Sequence, residues 1–141
     1  MTQRRTILVA DDDPDILELI LFRLERTGHG LVSARDGEEA LRLALAHRPD
    51  LALLDVMMPR LDGWEVTREL RRTPSTQSMA VILLTARAQD ADLARGFSAG
   101  ADDYIAKPFS PNDLVTRIEA LLERQPGDRP AGAPMRAGAP R

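Results

Sequence analysis

The sequence predicts an α/β fold: a five-stranded parallel sheet, doubly wound, with helices on both faces. Two observations carry this. Five short apolar runs alternate with five stretches of helical spacing over residues 1–125, and strands alternating with helices form parallel sheets through right-handed crossovers. Three of the runs are also nearly continuous in Val, Ile, Leu and Ala, as strands buried on both faces are.

The strand-like runs are Ile7–Ala10, Leu31–Ala34, Leu51–Val56, Val81–Thr85 and Tyr104–Ala106. The first helix opens at Pro14, a favourable first position. It carries Leu17, Ile20, Leu21 and Leu24 on one stripe and stops at Gly28. The second starts after Asp36, turns Ala40, Leu41, Ala44 and Leu45 inward, and stops before Pro49. The third, from about Gly63 to Arg72, is mostly polar, with Val66 and Leu70 as its apolar stripe. The fourth, about Asp90–Ala99, is weakly patterned: Leu93, Ala94 and Phe97 are its anchors, and Gly96 interrupts it. The fifth opens at Ser110–Pro111 and runs to about Arg124 on Leu114, Ile118, Leu121 and Leu122.

Composition narrows the function class. The 141 residues suit one domain, and an apolar content of 43% suits a packed core. Cysteine is absent, which excludes disulfides and thiolate metal sites. No apolar run reaches the ~18 residues of a membrane span, and the N-terminus lacks the pattern of a signal peptide. A cytoplasmic protein is expected. Residues 126–141 hold four Pro, three Gly and four Ala without periodicity and are expected to be a disordered tail or a linker. They carry +2 of a net charge of -3, leaving -5 on residues 1–125. An acidic domain is a poor direct partner for nucleic acid.

In open parallel sheets, ligands sit beyond the carboxyl ends of the strands. Strand one ends in Asp11-Asp12-Asp13, strand three in Asp55, strand four in Thr85 and strand five in Lys107. Carboxylates converging in one cleft repel each other, and without a cation one is forced towards its protonated form. An all-oxygen cluster lacking His and Cys suits a hard divalent ion, Mg2+ above all. Helix capping would explain one residue of the first triplet, Asp13 being best placed, but not Asp11 or Asp12. Beside such a cluster and a lysine, Asp55 can act as a nucleophile towards phosphorus, with the metal and Lys107 neutralising the transferring group. His29, between two glycines, and His47, near a helix end, are expected at the surface. Trp64 is expected to pack at the start of the third helix.

These residues match a known pattern. The run Ile7-Leu-Val-Ala-Asp-Asp-Asp-Pro, then Leu54-Asp55-Val-Met-Met-Pro59 with Asp62-Gly63, Leu84-Thr85-Ala86, and Tyr104-Ile-Ala-Lys107-Pro108-Phe109 resembles the receiver domain of two-component response regulators, over about residues 5–124. The resemblance implies a flavodoxin-like (βα)5 fold with strand order 2-1-3-4-5, and residues 1–125 as the receiver. Asp55 would be the phosphoacceptor. Asp12 would ligate Mg2+ directly, Asp11 mainly through water, and the Met57 carbonyl would be a further ligand. Lys107 would contact the phosphoryl group and Asp55, and the Lys107–Pro108 bond is expected to be cis. Thr85 and Tyr104 would be the switch pair, changing the face of helix four, strand five and helix five. Met57 and Arg87 would flank the phosphoryl group and tune its lifetime. The implied donor is a sensor histidine kinase or phosphotransfer protein; the implied target is another protein or a second copy.

Two alternatives stand beside this. A Mg2+ phosphohydrolase of the haloacid dehalogenase type would use Asp11 as nucleophile and Asp13 as its pair, leaving Asp55 idle; Asp15 stands where that signature carries Thr or Val. Alternatively, the chain is the receiver of a DNA-binding transcription factor. Residues 100–117 are similar to receivers of the winged-helix group, in which Asp102, Asp103 and Arg117 would form a dimer face. Glu119, where that group carries a basic residue, departs from the pattern. As no helix-turn-helix is present, a stand-alone receiver acting through protein contacts is the expectation.

Overall fold

The computed structural model describes residues 4–86 and 90–124, the side chains of 90–93 and 96 excepted. Five parallel strands, β1 (Thr6–Ala10), β2 (Gly30–Ala34), β3 (Leu51–Asp55), β4 (Ala80–Thr85) and β5 (Asp103–Ala106), lie in the order β2-β1-β3-β4-β5. Helices α1 (Pro14–Glu25), α2 (Gly37–His47), α3 (Gly63–Arg72), α4 (Asp90–Ala99) and α5 (Pro111–Leu122) connect them, with a 3-10 turn at Pro74–Thr76 before β4. The doubly wound parallel sheet expected from the sequence is the one observed.

The strand alternation sorts side chains into two cores. Ile7, Val9, Leu53, Ile82 and Ile105 pack with Leu17, Ile20 and Leu24 of α1 and Leu114 and Ile118 of α5. Leu8, Leu54, Val81, Leu83 and Tyr104 face the other way, onto α2, α3 and α4. Short side-chain oxygens cap four helices: Asp13 for α1, Asp36 for α2, Asp62 for α3 and Ser110 for α5. At α3 this is a full capping box, with Glu65 reaching back to the Asp62 N–H at 2.9 Å.

Four expectations are corrected. Leu45 is 40% exposed: the helical stripe read from the sequence was one residue too wide, and Ala40 and Ala44 make the contact. Ala94 is exposed, and Ala99 is the buried small residue of α4. His29 is buried, not at the surface. Its Nδ1 accepts the Arg5 N–H at 2.9 Å, and its Nε2 lies 3.3 Å from Glu119 of α5. Asp102 is buried too, with its carboxylate between Arg71 (3.0 Å) and Arg124 (3.2 Å) and accepting the Val81 N–H. It therefore lies inside the fold rather than on a dimer face. His47 is exposed and Trp64 is buried at the start of α3, both as expected. The segment 126–141 lies outside the described residues.

The start of α2 is pressed against the loop after β3. A Cβ on Gly37 would fall 1.8 Å from the Leu61 carbonyl oxygen, a backbone atom that cannot yield cheaply. Gly28, at φ +83°, has open space around it, so only conformation constrains it. Gly37→Ala should therefore destabilise the fold by more than ~2 kcal/mol, and Gly28→Ala by about 1 kcal/mol. Urea unfolding of the two variants checks the order, and equal losses would contradict it.

Candidate functional site

The carboxyl ends of β1, β3 and β5 bring Asp11, Asp12, Asp55 and Lys107 together. Single carboxylate oxygens of Asp11, Asp12 and Asp55 lie within 4.8 Å of one another. Asp11 and Asp55 are buried and Asp12 is exposed, so the pocket opens to solvent on one side. The Lys107 ammonium sits 3.1 Å from Asp11 Oδ2 and donates to Asp55 Oδ1 at 3.2 Å. Lys107 is held there by its own backbone, whose N–H donates to the Thr85 carbonyl at 2.7 Å; the following peptide bond to Pro108 is cis, as expected.

The charges do not balance: three carboxylates face one ammonium among the described residues. Burial, then the Asp11 charge, raise the Asp55 carboxyl from 3.8 to about 6, against the opposing pull of Lys107. Burial works to lower the Lys107 ammonium, but its contact with Asp11 and the charge on Asp55 outweigh this and push it above its ordinary value. Asp11 Oδ2 is buried, and the Lys107 ammonium that faces it at 3.1 Å is shared with Asp55. An under-neutralised pocket of hard oxygen donors fits a small divalent cation such as Mg2+.

Asp13 stands apart. Its carboxylate accepts the N–H groups of Asp15 (2.9 Å) and Ile16 (3.4 Å), while Asp11 Oδ1 accepts the Asp13 N–H at 2.9 Å. Thr85 is buried at the end of β4. It shares a sheet face with Leu83, whose register partner is Tyr104. The expected switch pair thus lies diagonally on one face of adjacent strands. The Tyr104 ring is buried, and its hydroxyl accepts the Trp64 indole N–H at 3.2 Å, a partner 40 residues away that no local pattern signals. The Met57 side chain is 68% exposed, two residues past Asp55. Arg87 lies outside the described residues. Asp103 and Arg117 form a two-pronged ion pair within the chain, at 2.9 and 3.0 Å.

A family model described as the response regulator receiver domain matches residues 7–119. The chain belongs to the response-regulator receiver family. This receiver is 44% identical over 120 residues to the alkaline phosphatase synthesis transcriptional regulatory protein PhoP of Bacillus subtilis, covering 85% of this chain and 49% of that one. It is 41% identical over 135 residues to the phosphate regulon transcriptional regulatory protein PhoB of Pseudomonas aeruginosa, covering 95% and 58%. The receiver thus spans about half the length of the curated relatives it matches. Among solved structures, a putative response regulator from Chloroflexus aurantiacus superposes with a TM-score of 0.82 at 36% identity, over 86% of this chain and all of that one. The receiver domain of a Pseudomonas aeruginosa sensor histidine kinase, solved with a magnesium ion coordinated in its active site cleft, gives 0.80 at 32% identity over 86% and 100%. The phosphohydrolase alternative falls with this family match, and Asp13, its second carboxylate, caps α1. No helix among the described residues is long and apolar enough to cross a membrane.

Because the folded protein holds the Asp55 proton more tightly than the unfolded chain does, its contribution to stability is full at low pH and is lost as pH rises from about 4 through about 6. In metal-free buffer at pH 8, Asp55→Asn should therefore be more stable than the parent by about 1–2 kcal/mol, the open mouth screening part of the effect. The gain should vanish near pH 4. Thermal melts across that range check it; a variant less stable at pH 8 would sink the electrostatic account.

Proposed function

We propose that Asp55 accepts a phosphoryl group from a sensor histidine kinase or phosphotransfer protein, with Mg2+ alongside, and that the chain then alters its α4-β5-α5 face. The observation that carries this is the convergence of Asp11, Asp12, Asp55 and Lys107 at one sheet edge. An Asp55 oxygen attacks phosphorus, the P–N bond to the donor imidazole breaks, and the nitrogen keeps the electron pair. Lys107, already paired with Asp55, carries positive charge to the oxygens of the transferring group. Mg2+ bound in this pocket would supply the remaining countercharge. Asp12 and Asp55 would hold it, Asp11 mainly through water, and the Met57 carbonyl would be a further ligand. The magnesium in the cleft of the 32% identical histidine-kinase receiver supports this assignment. By their sequence positions, two residues past Asp55 and Thr85, Met57 and Arg87 would tune the lifetime of the aspartyl phosphate. Beyond its own phosphorylation and dephosphorylation, the chain catalyses nothing.

Residues 1–125 form the signalling unit, working in the cytoplasm through protein contacts, with 126–141 as a tail or linker. The relatives favour a second output. PhoP and PhoB are named as transcriptional regulators, and this chain matches about half of each, so the same switch could serve a DNA-binding partner domain. Asp103 and Arg117, exposed enough to exchange partners, are then the dimer contacts.

With acetyl phosphate and Mg2+, the intact mass should rise by one phosphoryl group. Asp55→Asn and chelation of the metal should each abolish the gain; a phosphorylated Asp55→Asn protein would place the chemistry elsewhere. In the Thr85→Ala variant, beryllofluoride should still bind at Asp55, but the amide NMR shifts that it induces in β5 and α5 should largely disappear. A full response in that variant would refute the switch pair.

A further inference from the structure

Trp64 is the one tryptophan of the chain, and phosphoryl chemistry has no use for it. It is 7% exposed, and its indole N–H donates to the Tyr104 hydroxyl at 3.2 Å, linking α3 to β5. Both partners also touch α4. The Arg95 guanidinium lies over the indole, 4.0 Å from the ring centroid. Phe97 meets the Tyr104 ring edge to face, with centroids 5.8 Å apart.

The indole stands on a ledge set by the phosphoacceptor strand. The Gly63 N–H donates to the Val56 carbonyl at 2.9 Å. A Cβ on Gly63 would fall 2.7 Å from the Asp55 carbonyl oxygen, so the start of α3 sits directly against the end of β3. The capping box of Asp62 and Glu65 holds that turn. Trp64 therefore cannot follow Tyr104 if the ring swings outward; the hydrogen bond breaks, and the indole N–H is left behind in the core. Filling the space needs only an apolar ring. The polar bond adds a preference for one position of Tyr104.

We infer that Trp64 is a positioning residue of the switch: its indole N–H holds the Tyr104 hydroxyl, keeps the ring buried, and so favours the phosphoryl-loaded arrangement before any phosphoryl group arrives. This rests on the proposed roles of Asp55 and of the Thr85–Tyr104 pair. A neutral buried hydrogen bond shifts a two-state equilibrium by about 3- to 10-fold, and apparent ligand affinity falls with the competent fraction.

The test is beryllofluoride affinity in Mg2+, measured by calorimetry or 19F NMR, for the parent, Trp64→Phe, Tyr104→Phe and the double variant. Trp64→Phe should weaken binding measurably, by at most about the same 3- to 10-fold. In the Tyr104→Phe background the same substitution should change nothing, because the bond is already gone. If Trp64→Phe fails to fold, Tyr104→Phe alone should show the loss, and unchanged affinity there overturns the inference. An unaltered Trp64→Phe affinity, or an equal loss in both backgrounds, also overturns it while leaving the Asp55 reading intact. Failure of the parent protein to bind beryllofluoride removes that reading, and this inference with it.

Discussion

Like charges held together without enough counter-charge are what the rest of this structure is arranged around. Asp11, Asp12 and Asp55 converge on one ammonium, and burial, then the charge on Asp11, raises the Asp55 carboxyl to about 6. A fold left to minimise its own energy would not gather these groups. The parallel sheet forces the meeting, since every strand ends at the same edge and delivers its next residue there. Such a cluster is under-neutralised on its own, and a cationic ligand would relieve the repulsion.

The opposite edge of the sheet is built differently. There the polar groups are matched. Asp50 accepts the Thr6 N–H at 2.8 Å, and His29 accepts that of Arg5 while facing Glu119. Asp102 is enclosed by two guanidinium groups and a backbone N–H. Arg71 spans further, donating also to the carbonyls of Gln77, Met79 and Gly100. Breaking such a buried, fully paired cluster costs far more than breaking a surface pair. The amino edge is thus a fixed base, and change is confined to the carboxyl edge and the faces it touches.

The division also explains what could be read in advance. Strands buried on both faces write themselves as apolar runs, and topology then places their terminal residues at one edge, so Asp55, Lys107 and the acidic triplet were legible without any tertiary contact. The amino edge was not. The partner of His29 lies 90 residues away, and those of Asp102 are 31 and 22 residues distant; local pattern made one a turn histidine and the other a surface acid. Glu119, which fitted no family expectation, gains its physical reason from the buried imidazole. Leu45 and Ala94 failed for a simpler reason: a helical stripe read from hydrophobicity alone has no sharp edge, and small residues can carry the contact.

The same geometry decides where a signal can go. Thr85 and Tyr104 lie on the sheet face that packs α3 and α4, whereas Ile105 points to α5 on the other. A change in the Tyr104 ring therefore reaches Phe97 and Trp64 directly. Towards α5 it has the Asp103–Arg117 pair one residue away and the Ile105 side chain on the other face. The described contacts of α4 are a half-buried phenylalanine, a buried alanine and a cation over an indole, and both Phe97 and the indole of Trp64 also meet Tyr104. A bond worth about 1 kcal/mol at Tyr104 thus acts where α3, α4 and β5 come together. Modest interactions at Tyr104 can thus be felt across a whole face while the core beneath it stays unchanged.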